Sequence, residues 1–324
     1  MPAREEEIVQ PSLRIVFMGT PSFAVPVLSA LSDYGHEIVG IYTQPDRPAG
    51  RGRRTTPTGV KVAALERGLQ VYQPASLRKD ETARSEIAAL EPDVIAVAAY
   101  GLYIPAETLA GPPLGCLNVH PSLLPRYRGS SPVATAILDG ESVTGVTVMC
   151  VAEEMDAGPI VAQQDTAIGP EETTPDLTAR LFEVGAELLV EVLPSWRRGD
   201  IEAREQDESL ATATRRLSRE DGRVDWSRSA METARRVRAL HPWPGSFTQW
   251  RGRLLKIIEA FVYDGTAPGV IPEGEVVSVP DGIGVSTGNG VLALKTIQIE
   301  GRRPTGAREF VEGHKDFVGS VLGQ

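Results

Sequence analysis

Cysteine is almost missing from this 324-residue chain: Cys116 and Cys150 are the only two. That excludes a disulfide-stapled scaffold and fits a reducing, cytoplasmic setting. Long apolar runs are missing too. The longest nearly unbroken one covers 94–104 and stops at Pro105, short of the ~18 residues of a membrane span. The amino terminus, Met-Pro-Ala-Arg-Glu-Glu-Glu, has no apolar signal core, and there is no internal repeat. Signatures of nucleotides and metals are lacking as well. The turn Phe17-Met18-Gly19-Thr20-Pro21-Ser22 stands where a dinucleotide fingerprint belongs but lacks its glycine spacing, and no P-loop occurs. The four histidines, His36, His120, His241 and His314, are scattered without metal-ligand spacing. The sequence therefore predicts neither nicotinamide binding nor a catalytic metal.

What is present is enough apolar material for two cores, with 41% hydrophobic and 23% charged residues in 34.8 kDa. After a polar tail over 1–11, extended and helical patterns alternate. Residues 13–18, 36–43, 69–72, 94–99 and 115–120 read as strands, and 22–34, 60–67 and 81–90 as helices. This order predicts the α/β class, a doubly wound, mainly parallel sheet with helices on both faces. Residues 145–151 and 160–167 read as a further pair of strands, and 177–196 as a long amphipathic helix closing a domain over 12–200. Polar sequence of alternating charge over 201–216 reads as a linker. Beyond it, over 217–324, a helix at 229–240 precedes short runs broken by Gly, Pro, Asp and Asn, which predicts a small antiparallel barrel.

The net charge of −10 hides an uneven distribution. Residues 1–209 carry 17 Lys and Arg against 30 Asp and Glu, whereas 210–324 carry 16 against 13 and the stretch 211–256 carries 11 against 4. An acidic first part joined to a locally basic second part predicts two jobs, one of them holding phosphates.

The informative stretch is Leu117-Asn118-Val119-His120-Pro121-Ser122-Leu123-Leu124-Pro125-Arg126-Tyr127-Arg128-Gly129. Asn118 and His120 stand two apart at a strand end, so their side chains share one face, and Pro121 biases His120 toward extended backbone. Carboxyl ends of parallel strands are where open α/β sheets place ligands. An amide donor beside a titratable imidazole suits acyl transfer, with Asn118 donating to a developing oxyanion and His120 moving a proton. Asp156, in the turn Glu153-Glu154-Met155-Asp156-Ala157-Gly158-Pro159, is the best carboxylate to tune the histidine. An Asn-x-His pair by itself is a weak signal and more often means a strand cap and a structural histidine.

With its flanks the pair says more. The string from Asn118 to Gly129, followed by Thr144-Gly145-Val146-Thr147 and by Met155-Asp156-Ala157-Gly158-Pro159-Ile160, resembles the folate-dependent formyltransferases. The loop Thr43-Gln44-Pro45-Asp46-Arg47-Pro48-Ala49-Gly50-Arg51-Gly52-Arg53 and the string Arg238-Ala239-Leu240-His241-Pro242-Trp243-Pro244-Gly245 are similar to the members of that family that act on charged tRNA. The resemblance covers roughly residues 12–315. It implies a Rossmann-like catalytic domain followed by an OB-like barrel, and transfer of the formyl group of 10-formyltetrahydrofolate to initiator methionyl-tRNA; the sequence leaves the oligomeric state open, with a monomer as the expectation. It further implies that Asn118, His120 and Asp156 are catalytic. Ser122, Leu123, Leu124 and Pro125 would border the folate, with Val97, Tyr100, Gly101 and Leu102 behind the pterin. Arg47, Arg51, Arg53 and Arg54 of the inserted loop would meet the acceptor end of the tRNA, with Arg216 and Arg238 as further contacts, although Arg238 is equally compatible with a structural role. One departure stands in the linker, where Ala213 and Arg216 replace a Tyr and a Lys common in the family.

Overall fold

The computed structural model describes residues 12–49, 54–265, 271–280 and 282–323, with the backbone alone at Ala49 and Arg54. The polar tail over 1–11 lies outside the described residues, as do Arg51 and Arg53. Ten strands come first: β1 (Arg14–Gly19), β2 (Glu37–Tyr42), β3 (Arg47–Ala49), β4 (Arg54–Thr56), β5 (Val71–Tyr72), β6 (Val94–Ala98), β7 (Cys116–His120), β8 (Arg128–Gly129), β9 (Val143–Cys150) and β10 (Ile160–Ala167). Between and after them run α1 (Val25–Asp33), α2 (Gly59–Glu66), α3 (Glu81–Ala89), α4 (Ala106–Leu109), α5 (Pro132–Asp139) and α6 (Thr174–Arg198).

Seven of these strands form one sheet in the order β10-β9-β7-β6-β1-β2-β5. Its five strands from β7 to β5 pair in parallel, and β9 joins β7 antiparallel. The chain leaves β1 toward β2 on one side and returns to β6 on the other, which makes the switch of direction that opens a crevice at the strands' carboxyl ends. Every residue of β6 is buried, and Ile15, Val16, Phe17 and Met18 of β1 are fully so. Such continuous apolar runs are what a parallel strand covered on both faces requires.

Residues 22–34, read as one helix, divide into a 3-10 turn at Ser22–Ala24 and α1, whose first turn holds Pro26. A proline there loses no intrahelical bond. The strand read over 69–72 shrinks to Val71–Tyr72. The sequence reading missed α5, although Pro132 opens it and Gly140, at φ +76°, ends it.

The remaining elements are β11 (Ala213–Thr214), β12 (Ser246–Trp250), β13 (Arg253–Tyr263), β14 (Val276–Val279), β15 (Gly282–Ser286), β16 (Val291–Ile299) and β17 (Thr305–Gly306), with α7 (Ala230–Ala239) and α8 (Ala307–Gly313). Strands β12-β13-β16-β15-β14 form an antiparallel sheet, with β17 added on β16. Its core gathers Leu255, Ile257, Leu292 and Ile297 with Phe310 of α8 and Phe317. Trp250 meets the edges of Phe310 and Phe317 at 5.6 and 5.2 Å between ring centres. Helix α7 starts at a capping box in which Ser229 and Glu232 satisfy each other's backbone N–H groups.

The chain divides into two compact units. One holds the described part of Met1–Gly129 with Gly145–Thr166 and Thr178–Ala213; the other holds Ser130–Thr144, Ala167–Leu177 and the described part of Thr214–Gln324. Helix α5 therefore belongs with α7, although it falls between two strands of the first sheet in sequence.

Candidate active site

Strand β7 sets the site. Asn118 stands opposite Val97 of β6 on one side and Met149 of β9 on the other. The strand's alternation turns Asn118 and His120 to the same face. Val119 points the other way onto α6, where a Cβ on Gly185 would lie 2.4 Å from Val119 Cγ1, so only glycine lets the helix come this close. Among the described residues the half-buried Asn118 amide has no hydrogen-bond partner, and it remains available as a donor.

His120 is 4% exposed and both its ring nitrogens face oxygen. Nε2 lies 3.1 Å from the Tyr127 carbonyl, and Nδ1 lies 3.7 Å from Asp156 Oδ1. A carbonyl only accepts, so the Nε2 contact is a hydrogen bond when Nε2 carries the hydrogen, and in that neutral tautomer Nδ1 is the proton-accepting nitrogen. The carbonyl is aimed by an unusual backbone: Tyr127 stands at φ +62°, and its N–H donates to Thr212 Oγ1 at 2.8 Å.

Asp156 also has left-handed backbone, at φ +55°. Its Oδ2 accepts from the Gly129 N–H at 2.8 Å, so one carboxylate oxygen is anchored and the other faces the imidazole. Next to Gly129, the buried Arg128 guanidinium donates to Gln206 Oε1 and to both carboxylate oxygens of Glu208, over 2.7–3.0 Å. The Glu208 bond raises the Arg128 pKa above its ordinary value, and the guanidinium in turn lowers that of the Glu208 carboxyl.

The segment after His120 folds over buried Thr147. The Thr147 hydroxyl donates to the Ser122 carbonyl at 2.7 Å and accepts from the Leu124 N–H at 3.1 Å and from Gln163 Nε2 at 2.9 Å. Gln163 also donates to the Leu124 carbonyl. Ser122 and Leu124 are buried, while Leu123 and Pro125 are partly open. Val97 ends beside Asn118, and the chain then turns through Ala99 and Gly101, both at positive φ. The Tyr100 carbonyl accepts from Thr20 Oγ1 at 2.8 Å and Gln44 Nε2 at 2.9 Å, and Leu102 is half-buried.

The predicted arginines are placed differently. Arg47 is exposed on the β3–β4 hairpin and donates to Gln44 Oε1 at 2.8 Å. The base of that hairpin is tied by Asp46, which accepts from Lys61 Nζ at 2.6 Å and Gln73 Nε2 at 2.7 Å. Arg216 is exposed. Arg238 is half-buried and donates to the Glu172 carbonyl at 2.8 Å, and burial lowers its pKa.

Sequence reasoning missed Tyr127, Thr147, Gln163, Gln206, Glu208 and Thr212. Tyr127, two residues before Gly129 and followed by Arg128, stands within the informative string, but nothing in the sequence marks its carbonyl as the imidazole's partner. Among the described residues no group of three or more His, Cys, Asp and Glu is placed to hold a metal, and no helix is long and apolar enough to cross a membrane.

Residues 13–193 match the model of the formyl transferase family, and residues 216–315 match that of the formyl transferase C-terminal domain. The chain belongs to the formyl transferase family. It is 49% identical over 312 residues to a methionyl-tRNA formyltransferase of Roseiflexus sp. strain RS-1, covering 96% of this chain and 95% of the relative. A methionyl-tRNA formyltransferase of Chloroflexus aurantiacus is 51% identical over 310 residues, covering 94% and 99%. Solved structures agree in fold at lower identity. HypX from Aquifex aeolicus in complex with tetrahydrofolic acid superposes with a TM-score of 0.66 at 19% identity, over 95% of this formyltransferase chain and about half, 48%, of its own. The N-formyltransferase from Helicobacter canadensis, in complex with folinic acid and dTDP-3-aminofucose, gives 0.65 at 17% identity over 87% and 99% of the two chains.

Proposed function

We propose that this formyltransferase moves the formyl group of 10-formyltetrahydrofolate to the α-amino group of initiator methionyl-tRNA, as a cytoplasmic monomer. The observation that carries the chemistry is His120 Nδ1 facing the anchored carboxylate of Asp156, with the unpartnered Asn118 amide on the same strand face. The methionyl-tRNA formyltransferases that match nearly the whole chain support the acceptor.

An amino group with a free pKa near 7.7–8 is partly neutral at physiological pH, so no strong base is needed to start the reaction. The amine attacks the formyl carbon, a C–N bond forms, and the carbonyl electrons move to oxygen. Asn118 donates to that oxyanion. The amine's proton passes to His120 Nδ1, the nitrogen that holds a lone pair, and the Asp156 carboxylate and the Tyr127 carbonyl then sit at the two N–H groups of the imidazolium. Collapse breaks the bond from the formyl carbon to the folate nitrogen, and the proton returns to that nitrogen as tetrahydrofolate leaves. Ser122, Leu123, Leu124 and Pro125, with Val97, Tyr100, Gly101 and Leu102, border the folate. The catalytic domain spans 12–200, and the barrel over 217–324 lies against the tRNA after the linker over 201–216. Arg47, Arg51, Arg53, Arg54, Arg216 and Arg238 meet its phosphates, which position the substrate without doing chemistry.

The test is a transfer assay with labelled 10-formyltetrahydrofolate and three acceptors: charged initiator methionyl-tRNA, free methionine and an amino-sugar nucleotide. Label on the charged tRNA alone is the expected result. Label on the sugar nucleotide, or formate released with no acceptor, would overturn the acceptor assignment.

A further inference from the structure

Gln206 lies in the polar stretch read as a linker, yet it is 8% exposed and its amide is fully used. Nε2 donates to the backbone carbonyls of Asp156 and Gly158, at 2.8 and 2.7 Å. Oε1 accepts from Arg128 Nε and Nη2, at 3.0 and 2.8 Å. With the bond from the Gly129 N–H to Asp156 Oδ2, these contacts close a ring that ties the Asp156 turn to β8. A carboxamide suits the position because one end donates twice and the other accepts twice. A left-handed non-glycine residue such as Asp156 is held there only by its surroundings, and Gln206 supplies the bond to that residue's own carbonyl.

We propose that Gln206 is a positioning residue for formyl transfer: it fixes the Asp156 turn so that the free carboxylate oxygen stays beside His120 Nδ1. This rests on reading His120 and Asp156 as the proton-handling pair. Arg128 serves the same clamp from the other side, and Glu208 neutralises it.

Gln206→Glu keeps the side-chain length and an acceptor for Arg128 but removes both N–H donors. Its kcat is expected to fall about 10- to 100-fold, the scale of a small misplacement of a catalytic group. KM for the folate and for charged tRNA is expected to stay within about twofold, because the Gln206 amide bonds to Arg128 and to the Asp156 and Gly158 carbonyls and is used up there. In an Asp156→Asn background the same change costs little more, since the clamp acts through that carboxylate. Gln206→Met, apolar and of similar length, gives the same readings if the added charge disturbs folding. If Asp156→Asn alone retains wild-type kcat, the underlying reading of the pair has failed. If Asp156→Asn collapses kcat but the Gln206 variants leave it unchanged, or cost as much in the Asp156→Asn background as in the wild type, the pair stands and the positioning role is overturned.

Discussion

The segment after β7 and the β3–β4 hairpin both follow parallel strands of one sheet, yet they are held in opposite ways. Around His120, groups from 122–129, 147, 156–158, 206 and 212 bond one another, with Ser122, Thr147 and Gln206 buried among them. The hairpin is tied at its base through Asp46, Lys61 and Gln73, while Arg47 stands in solvent. The difference fits the roles proposed for the two. Proton transfer and oxyanion stabilisation require groups fixed to a fraction of an ångström, whereas a guanidinium meeting a phosphate acts over a longer range and carries positional tolerance.

The largest expected effect lies in the fixed region. His120→Ala should lower kcat by ~100- to 10,000-fold and Asn118→Ala by ~100- to 1,000-fold, with the circular dichroism spectrum unchanged. Steady-state kinetics at saturating tRNA reads both, and near wild-type turnover in either would remove that residue from the catalytic group. Next comes Gly158→Ala. Its Cβ would lie 1.9 Å from the Cys150 carbonyl oxygen, so the Asp156 turn must shift. A kcat loss up to about 100-fold, with about 1–3 kcal/mol lost in chemical denaturation, would mark the turn as a precise part; a silent substitution would make it slack.

In the hairpin the effects should be smaller and of another kind. Arg47→Ala leaves kcat alone, raises KM for charged tRNA and reduces the slope of affinity against salt by about one. An unchanged salt slope would make Arg47 a solvated turn residue. The smallest effect concerns Asp46, whose carboxyl is held below its ordinary pKa by the hydrogen bonds from Lys61 and Gln73. A depressed carboxyl contributes stability above its unfolded pKa and loses it as pH falls through the folded value. Melting curves should therefore separate wild type from Asp46→Asn at neutral pH and converge below pH ~4. A separation constant from neutral to strong acid would deny the ionised pair.

How much of this was legible in the sequence divides along the same line. Strand β6 and the Asn118–His120 pair could be read because an apolar run buried on both faces, and two polar residues two apart at a strand end, are local patterns. The β3–β4 hairpin could not, since its Arg, Pro and Thr residues carry no apolar alternation. Gln206 was equally hidden: its bonds reach back 50 residues to Asp156 and 78 to Arg128, and local periodicity says nothing about partners so distant. Thr147 belongs to a recognisable motif, but its bridge from Ser122 to Gln163 exists only once β7 and β9 lie side by side. Family resemblance pointed to the residues proposed as catalytic and stopped short of what holds them.

The most direct test sets His120→Ala beside Arg47→Ala and measures single-turnover formyl transfer from labelled 10-formyltetrahydrofolate over a range of charged initiator tRNA concentrations. The expected result is a split: His120→Ala loses the maximal rate at an unchanged half-saturating tRNA concentration, and Arg47→Ala keeps the rate but needs more tRNA. The same change in both variants, or a His120→Ala enzyme turning over at the wild-type rate, would contradict the assignment of chemistry to the β7 centre and of tRNA contact to the hairpin.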